Sequence, residues 1–141
     1  METQIVLNQN SELYGRGNHN VGVAMWHLQW CTKYRYKMFR LEKLRVSCDV
    51  AVKECCTRHK IKIIALNIQL DHVHLVAELP RGMTDVKALQ LLKGFTSFLL
   101  FRLEPNIRKR YPNGHLWSQG SFSATVGYAE LSTVLAYVKN Q

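Results

Sequence analysis

Long apolar runs are missing from this chain of 141 residues. No stretch of about 18 uncharged apolar residues occurs, so no segment is suited to cross a membrane as a helix. The first twenty residues, METQIVLNQNSELYGRGNHN, lack an apolar signal core and an Arg-rich amphipathic pattern. That predicts no targeting segment and a cytoplasmic protein. Cysteine is sparse: Cys31, Cys48, Cys55 and Cys56 are the only four. No C-x-x-C pair exists, which excludes the usual spacing of a zinc module, and disulfide scaffolds are shorter and denser in cysteine. Cys48 and Cys55 share a helical face with Leu41, Leu44 and Val52, so buried thiols are expected. No segment repeats and no low-complexity linker divides the chain, which predicts one domain over residues 1–141. Acidic residues are scarce as well, 10 against 19 Lys and Arg, giving a net charge of +9. The excess points to a polyanionic partner, nucleic acid first, although basic charge also serves solubility alone.

What is present reads as alternating strands and helices. Residues 1–20, rich in Asn and Gly and without apolar period, are expected to form a flexible polar arm. Residues 23–36 (VAMWHLQWCTKYRY) carry aromatic and β-favouring side chains, predicting a strand. Residues 40–59 have helical spacing in Leu41, Leu44, Cys48, Val52 and Cys55. Residues 61–70 (IKIIALNIQL) and 72–79 (HVHLVAEL) predict two antiparallel strands joined near Leu70-Asp71. Thr84 caps a long helix with Asp85 in its first turn. Its apolar stripe is Ala88, Leu91, Leu92, Phe95, Phe98 and Leu99, with Lys93 and Ser97 opposite. Pro105 and Pro112 bracket a basic loop, a strand is expected over 122–126, and a helix over 131–141. The order β-α-β-β-α-β-α predicts an α+β, ferredoxin-like split βαβ fold: an antiparallel sheet, two helices on one face, and a C-terminal helix. The other sheet face is expected to be free for a ligand or a second subunit.

Strand residues two apart point to one face, so His72 and His74 project together and Val73, Leu75, Ala77 and Leu79 oppose them. Two imidazoles can chelate a divalent ion if a third ligand arrives. An H-x-H pair also occurs as surface decoration or hydrogen-bonded structure. On the last helix Leu131, Val134, Leu135 and Val138 form an apolar stripe, with Tyr137 and Gln141 about one turn apart at its edge. A tyrosine there is equally a packing residue. Asp71 could orient a histidine ligand or simply suit the turn. Glu78 is on the histidine side in strict alternation but further along the strand than His74, and is left outside the site.

The segments LDHVHLVAEL, WCTKYR, LLKGFTSFLL, LWSQGSF and the ending YVKNQ occur in one order and spacing. Together they resemble the HUH single-tyrosine transposases, the TnpA type, of minimal bacterial and archaeal insertion sequences, over about residues 23–141. The resemblance implies a homodimeric transposase that cuts and rejoins single-stranded DNA through a 5′-phosphotyrosine. It assigns Tyr137 as nucleophile, with His72, His74 and Gln141 as ligands of Mg²⁺ or Mn²⁺. Tyr128 is the competing tyrosine, but no Gln or Asn follows it four residues on. Hairpin-forming element ends are the implied partner, and no membrane is involved. Lys33, Arg35, Lys37 and Lys93 are the DNA-binding candidates; Tyr34, Tyr36 and Phe39 interleave the first group, and Arg108, Lys109 and Arg110 form a second basic cluster. A domesticated relative acting on chromosomal hairpin repeats, or a silent nucleic-acid-binding protein of this fold, are the alternatives.

Overall fold

The computed structural model describes residues 3–5 and 24–140. Five strands and three helices follow in the order β1 (Thr3–Ile5), β2 (Ala24–Thr32), α1 (Glu42–Arg58), β3 (Lys62–Ile68), β4 (His72–Leu79), α2 (Asp85–Leu103), β5 (Trp117–Thr125) and α3 (Tyr128–Lys139). Short 3-10 turns at Lys33–Arg35, Met38–Arg40 and Pro105–Lys109 fill the connections. The sheet order is β1-β3-β4-β2-β5, and every neighbouring pair is antiparallel. Thus β4 lies between β2 and β3, and β2 between β4 and β5. This is the split βαβ, ferredoxin-like arrangement of an α+β protein. Among the described residues no helix is long and apolar enough to cross a membrane.

One face of the sheet carries the larger core. Leu28 and Trp30 of β2 and Val73, Leu75, Ala77 and Leu79 of β4 pack there with Cys48, Val52 and Cys55 of α1 and Ala88 and Leu92 of α2. The strand-period alternation of β4 therefore does what its sequence implies. Its opposite residues are buried too, because α3 lies on the other face. Leu131, Val134, Leu135 and Val138 cover Met25, Ile64, Ala65 and Val76. The expectation of a free second face is thus corrected: the helix face is already filled, and the apolar stripe of α3 has only the second face to bury against. A β-bulge in β3 between Ile63 and Ala65 helps. It turns Ile64 and Ala65 together toward α3, as an inserted residue does.

Four further expectations are corrected. Thr3–Ile5, inside the supposed flexible arm, pairs with Asn67, Leu66 and Ala65 as an edge strand; the rest of residues 1–20 lie outside the described residues. The first long strand ends at Thr32, because Tyr34 and Arg35 adopt positive φ of 65° and 54°, which no sheet accommodates. The last strand begins at Trp117 and the last helix at Tyr128. Finally, the buried stripe of α2 is Ala88, Leu89, Leu92, Thr96 and Leu100, leaving Phe98 exposed. Thr96 belongs inside because its Oγ1 accepts from Trp117 Nε1 at 2.9 Å and donates to Leu92 O at 2.6 Å, satisfying a buried indole. The expected Thr84 cap is present, its side chain accepting from Lys87 N at 3.1 Å.

Candidate active site

The tight turn between β3 and β4 sets the site. Gln69 N donates to His72 O at 2.8 Å, and the tip is tied to the end of β2 by Thr32 N to Asp71 O at 2.8 Å and to the Met38–Arg40 turn by Phe39 N to Leu70 O at 3.0 Å. These bonds bring the turn at Lys33–Arg35 against Asp71. Arg35 Nε donates to Asp71 Oδ2 at 3.0 Å, while Asp71 Oδ1 accepts from His72 Nδ1 at 2.7 Å. Burial alone pushes the Asp71 carboxyl up; the hydrogen bonds from His72 and Arg35 and the Arg35 charge outweigh it and hold the group below its usual range.

From Asp71 the polar contacts run inward along the sheet. His72 Nε2 is 3.1 Å from His74 Nε2, and His74 Nδ1 is 3.1 Å from His27 Nε2. His74 is fully buried and His27 nearly so; burial holds His27 below the usual histidine range. His27 reaches this face because β2 pairs with β4 in the register Cys31 to His72, Gln29 to His74 and His27 to Val76. That register turns Met25, His27, Gln29 and Cys31 to the histidine side. Phe122 of β5 adds its ring edge to His27 at 5.4 Å between centroids.

Over this floor α3 delivers Tyr137. Its ring stands perpendicular to His74, 5.9 Å between centroids, and 6.1 Å from His27, with about half its surface exposed. Tyr128 sits at the other end of the helix, where burial and the charge of Glu78 push its phenol up. The spacings agree: nine residues of helix span about 13.5 Å, and the four strand residues from His74 to Glu78 about 13 Å. The histidines and Tyr137 share one end, Glu78 and Tyr128 the other. Glu78 itself is buried on the histidine face, its Oε1 3.9 Å from Lys62 Nζ, and burial pushes its carboxyl up. The end of α3 is anchored by Asn67, a fully buried residue of β3 whose Nδ2 donates to Val138 O. Asn67 Oδ1 accepts from Gln69 Nε2 at 2.9 Å.

The two Nε2 atoms are spaced as neighbouring ligands of an octahedral ion: bonds of about 2.1 Å give an edge of about 3.0 Å. His72 and His74 could therefore hold one divalent ion. Among the described residues no group of three His, Cys, Asp or Glu could do so, so further ligands must come from elsewhere. Gln141 lies outside the described residues.

The basic candidates separate into two roles. Lys33, Arg35 and Lys37 surround an aromatic ladder in which Tyr34 and Tyr36 are 5.5 Å apart and Tyr36 and Tyr111 5.4 Å. Arg110 lies over Tyr36 at 4.8 Å, and Lys33 over Tyr34 at 5.4 Å. The two basic clusters, distant in sequence, meet here around a cavity of about 340 Å³ lined by Lys37, Arg40, Lys43 and Arg110. Lys93 is placed differently. Its Nζ donates to Ser118 O at 2.7 Å, Gln119 O at 3.1 Å and Ser121 Oγ at 3.1 Å. Burial lowers its pKa, against a raising influence from Cys31. His27, Gln29 and Asn67 carry no sequence signal and are singled out only by the strand registers and the position of α3, and Tyr111 only by its packing on Tyr36.

A family model described as "Transposase IS200 like" matches residues 20–141. The chain is 27% identical over 116 residues to the transposase for insertion sequence element IS200 of Salmonella typhimurium, covering 82% of this chain and 75% of that protein. It is 23% identical over 126 residues to the ISDra2 transposase TnpA of Deinococcus radiodurans, covering 89% of each. In fold it is similar to a Deinococcus radiodurans crystal structure described as a transposase, with a TM-score of 0.68, 23% identity and coverage of 84% and 91%. A REP-associated tyrosine transposase bound to a REP hairpin is similar as well, with a TM-score of 0.61, 11% identity and coverage of 82% and 64%.

Proposed function

The chain belongs to the IS200-like transposase family, and from that premise we propose that it cuts and rejoins single-stranded DNA with Tyr137 as the attacking group. The observation that carries the reading is the meeting of Tyr137, on α3, with the His72–His74 pair, on β4. The Tyr137 oxygen attacks the scissile phosphorus, the phenol proton passing to solvent. The bond from phosphorus to the 3′ oxygen breaks, and that oxygen takes up a proton as a free 3′-hydroxyl. The 5′ side stays on the protein as a phosphotyrosine, so the phosphodiester is conserved and a 3′-hydroxyl can reverse the step without ATP.

His72 and His74, with Gln141 as a third donor, would hold Mg²⁺ or Mn²⁺. Such an ion, when bound, neutralises charge gathering on the phosphate. The chain's own residues do the rest. Asp71 fixes the ring of His72, Asn67 holds the end of α3 that carries Tyr137, and α3 shields the inner side of the site from water. The strand itself would run along the ladder of Tyr34, Tyr36 and Tyr111 with Lys33, Lys37, Arg40 and Arg110 on its phosphates, since stacking plus positive charge suits single strands. Arg35 is engaged by Asp71 and joins the phosphates from the exposed side of that pair. Hairpin DNA is the proposed partner class, in keeping with the REP hairpin held by the relative of similar fold. A homodimer belongs to the same reading: β5 pairs on one side only among the described residues, and an open edge invites a second chain.

The test is incubation with labelled single strands from the flanks of the protein's own gene, with Mg²⁺ or Mn²⁺, resolved on a denaturing gel. A metal-dependent covalent band is expected, absent in Tyr137→Phe and kept in Tyr128→Phe. DNA binding with no covalent band under either metal would overturn the reading in favour of a silent binding protein.

A further inference from the structure

Three histidines, not two, occupy the floor of this site, and their nitrogen contacts are ordered. An Asp71 carboxylate accepts, so the 2.7 Å contact puts a proton on His72 Nδ1, and an imidazole with its one proton there carries a lone pair on Nε2. His74 Nε2, 3.1 Å away, then donates. Its Nδ1 accepts, and His27 Nε2 donates to it. In this order of tautomers every proton points from His27 toward Asp71.

A divalent ion needs lone pairs on both Nε2 atoms, so this order cannot persist when one binds. His74 must carry its proton on Nδ1 instead, which requires an acceptor at that side. The structure brings His27 Nε2 to 3.1 Å from His74 Nδ1, placed to serve as that acceptor. We propose that His27 is a positioning residue whose ring reverses its tautomer to accept from His74 Nδ1, so that His74 Nε2 is held free for the metal. The proton count is unchanged: His74 and His27 each lose a proton at Nε2 and gain one at Nδ1. The ring is locked for the task, inclined 27° to His74 and held edge-on by Phe122 and Tyr137. Because the same ring touches Tyr137, a change of metal state is felt directly beside the attacking group.

This inference rests on the metal reading of His72 and His74, and the experiment separates the two. Mn²⁺ binding without DNA is measured by calorimetry for the wild type, His74→Ala, His27→Phe and His27→Gln, alongside the unfolding midpoint of each metal-free protein. His27→Phe should bind roughly ten- to a hundredfold more weakly, the usual effect of losing a hydrogen-bond partner behind a ligand histidine. His27→Gln, whose amide oxygen can accept, should recover most of that loss. In ¹⁵N-histidine-labelled wild type, adding Zn²⁺ as a diamagnetic probe should move the His27 Nε2 resonance from the protonated to the unprotonated position. Binding that disappears in His74→Ala but survives His27→Phe, or a His27 Nε2 that stays protonated in the loaded protein, overturns the inference alone. A wild type that holds no Mn²⁺ overturns the metal reading and this inference together.

Discussion

Replacing Asn67 tests how the helix carrying Tyr137 is held to the sheet. Val138 lies in the last turn of α3, where a carbonyl has no amide four residues on to receive. The Asn67 side chain supplies that donor from β3, and both residues are fully buried. A neutral hydrogen bond contributes about 1 kcal/mol net, and a buried carbonyl left without a donor costs about 1–3 kcal/mol. Gln69, the other partner, is half-buried and can turn to water, so it adds little. Asn67→Leu, close in volume and unable to donate, should therefore lower stability by about 1–3 kcal/mol. Asn67→Asp should cost more, because a carboxylate would face a carbonyl at the negative end of the helix. A helix of 12 residues is marginal by itself, so part of the loss should appear as local opening of α3.

Two measurements separate the local from the global effect. Trp30 and Trp117 sit in the core on the opposite face, so their fluorescence in urea follows global unfolding. Hydrogen exchange of α3 amides follows the helix itself, and 1–3 kcal/mol corresponds to acceleration of about 5- to 150-fold. Unfolding of Asn67→Leu within about 0.5 kcal/mol of wild type, together with unchanged α3 exchange, would refute the reasoning.

Three other outcomes follow from the same contacts. Lys93→Met should destabilise the protein by about 1–3 kcal/mol in urea, since three acceptors of β5 lose one donor. With Ellman's reagent one thiol, Cys31, should react quickly and Cys31→Ser should remove that phase; Cys48, Cys55 and Cys56 are buried, and burial pushes Cys55 to about 11 and Cys56 to about 12. Burial likewise pushes the Tyr111 phenol from 10.0 to about 12, with its hydroxyl donating to Lys33 O at 2.9 Å. A folded-state value raised in this way leaves stability intact below pH 10 and removes it as pH rises toward 12. Thermal unfolding from pH 9 to 12 should therefore decline less steeply in Tyr111→Phe, the cysteines supplying the remainder.

The parts of the fold visible in the sequence are those where local pattern and tertiary demand coincide. Residues 72–79 alternate cleanly and the Thr84 cap precedes a long apolar helix; both are found where the pattern puts them. The misses have physical causes. Thr3–Ile5 forms a strand because β3 offers an edge, not because TQI favours one. Nothing in KYR announces two left-handed residues, since neither Tyr34 nor Arg35 is Gly or Asn. The apolar spacing of α2 puts Phe98 in the stripe and omits Thr96, whereas Trp117 needs an acceptor inside. The covering of the histidine face by α3 follows from a core already filled on the other side, and no local window contains that information.

The candidate site was half legible for a related reason. His72 and His74 declare themselves by spacing and Asp71 by adjacency, but His27 is one histidine in a tryptophan-rich strand and means nothing until β2 is registered against β4. That register is decided away from the site. A slip of one residue would exchange the faces of β2 completely, setting Trp26, Leu28 and Trp30 on the histidine side and Met25, His27, Gln29 and Cys31 against α1 and α2. Leu28 and Trp30 are almost wholly buried against those helices, and each such side chain gains about 1.5–3 kcal/mol from burial, so the slipped register is strongly disfavoured. The same apolar residues that build the core on one face therefore fix which polar residues meet on the other. The distance between His27 and His74 is specified by Leu28 and Trp30, whose side chains lie on the opposite face of the sheet.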